Sequence, residues 1–174
     1  MGTDRMNRIL GIGIAGLAVA AAVAIVGVGT GLFSGSAGSD QDRVRRVMPE
    51  TVDIEQGAAL FAQSCSVCHG TELQGQPNWR SPGADGLLPA PPHDESGHTW
   101  HHPDRVLFDY TQLGGSAALA QQGLEFESGM PAFGDVLSDA EIWNILAFIQ
   151  STWPERTREI QASRTEADEA QGDL

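Results

Sequence analysis

The longest apolar stretch of the sequence lies near its start, where the 25 residues from Ile9 to Phe33 carry no charge. A helix of that length spans roughly 37 Å, which exceeds the about 30 Å of a bilayer's hydrocarbon core. A cleaved signal peptide is the alternative, and small residues at 35–37 offer a cleavage site, but its apolar region is usually shorter. The pattern therefore favours a single N-terminal transmembrane signal anchor over residues 9–33, after a short N-terminus over residues 1–8.

Further along the chain, the apolar spacing predicts a pair of helices. Residues 53–64 read as one helix, on which Gly57 and Phe61 share a face because they lie four residues apart. Near the C-terminus, Ser138-Asp139-Ala140-Glu141 has the form of a capping box, and apolar residues then recur at helical spacing as far as Ile149. Pro154 disfavours helix at the residue before it, so this second helix should end near residue 153.

A third, middle helix is expected from about Pro103 to Gly114, and the chain has few β-branched runs. The sequence therefore predicts an all-α domain over residues 53–153. Residues 34–52 begin with a Gly/Ser-rich run and predict a flexible tether with an end-to-end distance of about 24 Å. Residues 154–174 are charged and lack an apolar face, which leaves a solvated helix and a disordered tail as alternatives.

The charge of the chain is strongly acidic. The formal net charge is −13, lysine is absent, and residues 50–153 contain 14 acidic side chains against only Arg80 and Arg105. This balance argues against nucleic-acid binding and favours partners with basic docking surfaces. General solubility and adaptation to high salt explain the same composition equally well.

The chemistry of the chain is concentrated in Cys65-Ser66-Val67-Cys68-His69, which contains both of its cysteines. Cys-x-x-Cys-His is the attachment pattern of a c-type haem: each thiol can join one vinyl group, and the histidine can bind the iron. A redox dithiol would require an open α/β fold with a strand before the motif, whereas a helix is predicted there. A zinc site would need a second ligand pair, which the later histidines could supply, and a disulfide would close a very small loop.

The arrangement resembles a class I, mitochondrial-type cytochrome c domain over roughly residues 52–153. In that family a Gly-x-x-x-aromatic pair on the first helix crosses a last helix that carries an aromatic residue. Gly57 and Phe61 match the pair, and Trp143 is the best match to the second aromatic. The resemblance implies one covalent haem c, held by Cys65 and Cys68, with His69 as the proximal iron ligand.

The resemblance also implies a distal methionine in a loop before the last helix. Met130, in Gly129-Met130-Pro131, is the only methionine after the haem motif and matches that position. An iron with both His and Met ligands has no open site for substrate, which favours electron transfer over catalysis. Family members support the proximal histidine with a proline carbonyl, for which Pro77 and Pro89 are both candidates.

Residues 76–104 depart from a minimal cytochrome of this class and contain four histidines within ten residues: His93, His98, His101 and His102. A rigid loop over the haem edge with Trp100 inside, a second metal site and a pH-sensing loop are the three readings.

Because c-type haem is attached outside the bacterial cytoplasmic membrane, the resemblance implies a single-pass protein with its haem domain in the periplasm. We therefore expect a membrane-tethered single-electron carrier between respiratory or periplasmic redox partners, and not an enzyme. A copper-handling or redox-assembly cytochrome that uses loop 93–102, and a fixed subunit of an oxidoreductase complex, are the alternatives.

Overall fold

The computed structural model describes residues 46–172, and every regular element in that range is helical. The all-α prediction for the domain is therefore confirmed. The elements in chain order are α1 (Ile54–Ser64), α2 (Ser66–His69), a 3₁₀ turn (Thr99–His101), α3 (Asp104–Leu113), α4 (Gly115–Gln121), α5 (Asp139–Ser151) and α6 (Glu155–Gly172).

The predicted membrane anchor at 9–33, the N-terminus at 1–8 and most of the tether lie outside the described residues. Within residues 46–172, no helix has the length and apolar character needed to cross a bilayer.

The helix ends follow the signals in the sequence. Asp53 caps α1 by accepting a hydrogen bond from the Gln56 N–H at 2.9 Å. Ser138 and Glu141 form both halves of the predicted capping box at the start of α5. The middle helix, α3, begins one residue after Pro103, as expected from the sequence.

The central contact of the domain is the crossing of α1 and α5 at Gly57. A Cβ atom at this position would overlap the backbone carbonyl oxygen of Asn144, so only glycine allows the two helices to come so close. The Asn144 side chain reinforces the crossing, because its Oδ1 accepts from the Asp53 N–H at 2.8 Å and its Nδ2 donates to Gln56 Oε1 at 2.6 Å. The crossing thus combines close backbone packing with a two-sided side-chain clamp.

The aromatic residue that meets Phe61 across this crossing is Phe148, with ring centroids 5.5 Å apart. The match of Trp143 to that role was wrong: Trp143 is buried, but it packs on Phe108 of α3 at 4.5 Å. The reason is helical register. Asn144 and Phe148 are four residues apart and share the face that meets α1, whereas Trp143 is turned about 100° away.

Residues 155–172 form a helix that is docked through polar groups. Gln161 and Thr165 are buried, and the Gln161 Nε2 donates to Asp104 Oδ1 at 2.7 Å while Thr165 Oγ1 accepts from the Asp104 N–H at 3.1 Å. Arg105 forms two 2.8 Å hydrogen bonds with the Asp168 carboxylate. Of the two alternatives for the tail, the structure has the helix, and it packs on the domain instead of being fully solvated.

We predict that Gly57→Ala lowers the free energy of unfolding by at least about 1–3 kcal/mol, the usual range for overpacking, because the methyl group meets rigid backbone. Denaturant unfolding of the holoprotein measures this effect. Ala59→Ser, which adds one atom on the exposed side of the same helix, should change stability by less than about 0.5 kcal/mol. Equal effects of the two substitutions would show that the α1–α5 approach is not close.

Gln161→Ala should cost about 1–3 kcal/mol, because it removes a hydrogen-bond donor from the buried Asp104 carboxylate. Gln171→Ala is the matched control, since that exposed side chain bonds only to the Ala167 carbonyl of its own helix. If thermal unfolding of the two variants coincides, α6 is not stabilised by this network.

Candidate haem-binding site

The two cysteines and the histidine of the motif lie on one helical turn directly after α1. The N–H groups of Cys68 and His69 both donate to the Cys65 carbonyl, at 3.1 and 3.0 Å. Both thiols are free; Cys65 is half-buried, Cys68 is exposed and His69 is buried. This turn therefore presents two thiols and an imidazole from one short, well-ordered piece of backbone.

Burial, and to a smaller extent the neighbouring Cys68, raises the pKa of the Cys65 thiol to about 11. A redox-active dithiol needs the opposite shift, because the thiolate is the attacking species. The electrostatics at Cys65 thus disfavour the dithiol reading of the motif, and the helix before it provides no strand of an open α/β fold.

His69 is oriented by a hydrogen bond from its Nδ1 to the Pro91 carbonyl oxygen at 2.9 Å. This bond places the ring proton on Nδ1 and leaves Nε2 free to act as a metal ligand. Burial lowers the pKa of His69 despite the opposing effect of this bond, so the imidazole is neutral at neutral pH, as a ligand must be. The sequence-based candidates for the carbonyl, Pro77 and Pro89, were both wrong.

The turn at Gly75 explains why Pro91 is used. Gly75 has a φ of +65°, its N–H donates to the His69 carbonyl at 2.8 Å, and a Cβ there would overlap the Pro92 nitrogen. The next residue, Gln76, donates to the Ala90 carbonyl at 2.8 Å. The chain after the motif thus lies directly against the proline-rich segment and sets its register. The high proline content pointed to this segment in the sequence. Only the pairing of the two backbones in the structure identifies Pro91 as the residue whose carbonyl meets His69.

The face of the His69 ring is covered by His93. The two rings stack with centroids 4.0 Å apart and planes inclined by 24°. His93 is held by a 2.7 Å hydrogen bond between its Nδ1 and Thr99 Oγ1, and its edge meets Phe61 at 6.3 Å between centroids. Sequence reasoning grouped His93 with the possible ligands of a second metal and missed its contact with His69.

The other three histidines of the loop have separate partners. His98 stacks on Trp79 at 5.2 Å, and His101 stacks on the half-buried Trp100 at 3.7 Å. His102 is half-buried beside His98. In the part of the chain that the structure describes, no three His, Cys, Asp or Glu side chains are placed to hold a metal ion.

Met130 lies in the long loop between α4 and α5, and hydrogen bonds fix its backbone. Its carbonyl accepts from the Gly115 N–H at 3.1 Å, and its N–H donates to Ser128 Oγ at 3.2 Å. The side chain is half-buried, and Leu87 of the 76–104 segment approaches neighbouring Gly129. The structure thus holds a thioether in an anchored loop, as a distal ligand requires.

The donor set fits a haem. Two free thiols, a neutral imidazole with a free Nε2 and a thioether are the groups that a c-type haem needs for attachment and axial ligation. Apolar side chains are also exposed in the motif and in the loop before Met130, namely Val67 (83% exposed), Leu124 (53%) and Phe126 (46%). An all-α domain with this site has the features of a c-type cytochrome.

Comparison with known proteins agrees with that class. Residues 52–149, more than half of the chain, match the model of the family described as cytochrome c oxidase, cbb3-type, subunit III, and the chain belongs to this family. The protein is therefore a c-type cytochrome, which confirms the expected electron-transfer role and the expected haem c.

A more distant relative is the gluconate 2-dehydrogenase cytochrome c subunit of Pantoea cypripedii, 26% identical over 115 residues. The aligned region covers 66% of this chain and 24% of the relative, so the chain spans about a quarter of that protein's length. No solved structure matches the chain.

We predict that the stability of the domain falls as the pH decreases from 6.5 to about 4. Burial, and then the nearby His98, His101 and Arg164, lower the pKa of His102 to about 4. Because the folded state takes up this proton at a lower pH than the unfolded state, the contribution is complete above pH 6.5 and is lost toward pH 4. His93 and His98, whose pKa values are also lowered, add to the trend with the same sign.

Urea unfolding at pH 7, 5.5 and 4.5 tests this prediction. His102→Asn should reduce the pH dependence, and His101→Asn, which removes only one of several groups that lower the pKa of His102, should reduce it by less. An undiminished slope in His102→Asn would contradict the assignment.

Proposed function

We propose that the protein is a membrane-tethered, class I monohaem cytochrome c that carries single electrons between respiratory or periplasmic redox partners. In this proposal Cys65 and Cys68 hold one haem covalently, His69 is the proximal iron ligand and Met130 is the distal ligand. The observation that carries the proposal is the hydrogen bond from His69 Nδ1 to Pro91, because it leaves Nε2 available directly after a pair of free thiols.

Attachment requires no further reactant from the protein. In the proposed holoprotein, each thiol of Cys65 and Cys68 would add its S–H across one vinyl double bond, which would form a C–S bond and place the hydrogen on the adjacent carbon. No oxidant would be consumed, and the two thiols lie three residues apart on one helical turn.

Ligation by His69 and Met130 would fill both axial positions, which favours a carrier over a catalyst. The haem supplies a one-electron couple when bound, and a thioether ligand favours the reduced form and raises the potential. The residues of the chain contribute orientation: Pro91 directs His69, while Gly115 and Ser128 hold the backbone of Met130.

The proposed location rests on the sequence. The uncharged run at 9–33 is long enough to span a bilayer, and c-type haem is attached on the outer side of the bacterial cytoplasmic membrane. Residues 34 onward would therefore lie in the periplasm, close to the membrane surface because the tether is short. The acidic surface favours redox partners with basic docking surfaces.

A second candidate function is that of a fixed subunit in an oxidoreductase complex. It is favoured by the comparisons, because both the matched family and the Pantoea relative are described as subunits of larger enzymes. Native electrophoresis of gently solubilised membranes with haem staining separates the two candidates. A free carrier gives a band near the mass of the chain, whereas a subunit migrates with a much larger assembly.

We predict that Met130→Ala retains covalent haem but loses the Met–iron charge-transfer band and has a lower reduction potential, because a soft ligand is removed. Absorption spectra of the oxidised and reduced protein, with a redox titration, measure both effects.

Met48→Leu is the control, since Met48 packs beside the core and precedes the haem motif. A charge-transfer band that survives in Met130→Ala would exclude Met130 as the distal ligand. A wild-type protein without c-type haem would contradict the whole proposal.

A further inference from the structure

The ring of His93 stacks on His69, the proposed proximal ligand. His93 itself takes no part in the proposed ligation of the iron. Its ring lies over the His69 ring at 4.0 Å between centroids, with an interplanar angle of 24°. This is the distance of direct face-to-face contact, and no other aromatic ring in residues 46–172 stacks on His69.

His93 is held in place by three separate hydrogen bonds. Its backbone N–H donates to the Leu73 carbonyl at 2.8 Å, and its backbone carbonyl accepts from Trp153 Nε1 at 2.7 Å. The third joins its Nδ1 to Thr99 Oγ1 at 2.7 Å. Leu73, Thr99 and Trp153 are themselves buried, so the ring is fixed by the interior of the domain and not by solvent-exposed groups.

Pro91 and His93 constrain the His69 ring in different ways. The hydrogen bond to the Pro91 carbonyl fixes the direction of one ring edge, but the ring can still rock about that bond. A flat, immobile neighbour on the face of the ring blocks this rocking. The plane of an axial imidazole determines which iron d orbitals its π electrons meet, so a fixed plane gives a defined electronic state.

We propose that His93 is a positioning residue, whose stacked ring sets the plane of the His69 imidazole and thereby influences the electronic state and the reduction potential of the haem. This inference rests on the proposed function, because it takes His69 as the proximal iron ligand. It goes beyond that function by assigning a role to a residue of the loop that distinguishes this chain from a minimal cytochrome.

Two substitutions at position 93 distinguish the effect of the aromatic face from the effect of its hydrogen bond to Thr99. His93→Phe keeps an aromatic face but loses the hydrogen bond to Thr99, whereas His93→Asn keeps a polar partner for Thr99 but removes the face. The control is His101→Asn, the same change at an exposed histidine of the same loop. The readouts are the paramagnetically shifted haem-methyl resonances of the oxidised protein, which report the axial ring plane, and the reduction potential.

We expect His93→Asn to change the spread of the haem-methyl shifts and to move the potential by more than the control does. His93→Phe should stay close to the wild type in both readouts. The inference is overturned if the Asn variant stays within the range of the His101→Asn control, or if the Phe variant moves as far as the Asn variant.

If His93→Asn does not fold, His93→Leu replaces it, since this change also removes the flat aromatic face but keeps a side chain of similar size. A shifted methyl pattern in His93→Leu supports the inference, and a wild-type pattern overturns it. Failure of the proposed function looks different. A wild-type protein without covalent haem, or His69→Ala with unchanged iron ligation, contradicts the function itself, whereas unchanged spectra in the variants that remove the aromatic face, His93→Asn and His93→Leu, contradict only the role of His93.

Discussion

The close approach of α1 to α5 at Gly57 is the constraint on which the rest of the domain depends. Asn144 supplies the backbone carbonyl against which Gly57 packs, and its side chain holds the Asp53 N–H and Gln56. Because the haem motif follows α1 without a break, the crossing also fixes where the two thiols and His69 lie. One residue of α5 therefore controls the position of the whole attachment turn.

The His69 side of the site is built by the long segment after the motif. Pro91 meets the edge of His69 and His93 meets its face, so two residues of one short stretch enclose the ring. The stretch is tied to the end of α5 through Trp153 and to the 3₁₀ turn through Thr99. The α6 helix, which lies beyond the region matched by the family model, packs on that turn through Gln161, which donates to the His102 carbonyl at 3.3 Å.

Much of this architecture could be predicted from the sequence because its signals are local. The Ser138 capping box, the Gly57–Phe61 pair and the Cys-x-x-Cys-His pentapeptide each depend on a spacing of a few residues. The errors concern register between distant segments. Pro91 and Phe148 were missed because the sequence does not show which distant residue a proline carbonyl or a helical face will contact. The docking of α6 escaped prediction because buried glutamine and threonine leave no hydrophobic pattern.

The α1–α5 crossing also bears on the order of events while the protein is being made. Asp53 and Asn144 are separated by 91 positions in the chain, so the helix pair can close only after nearly the whole domain has been synthesised. Until then α1, which leads directly into the segment with Cys65 and Cys68, lacks the helix against which Gly57 packs. The two thiols are therefore synthesised well before α5, the helix that packs on α1, is available.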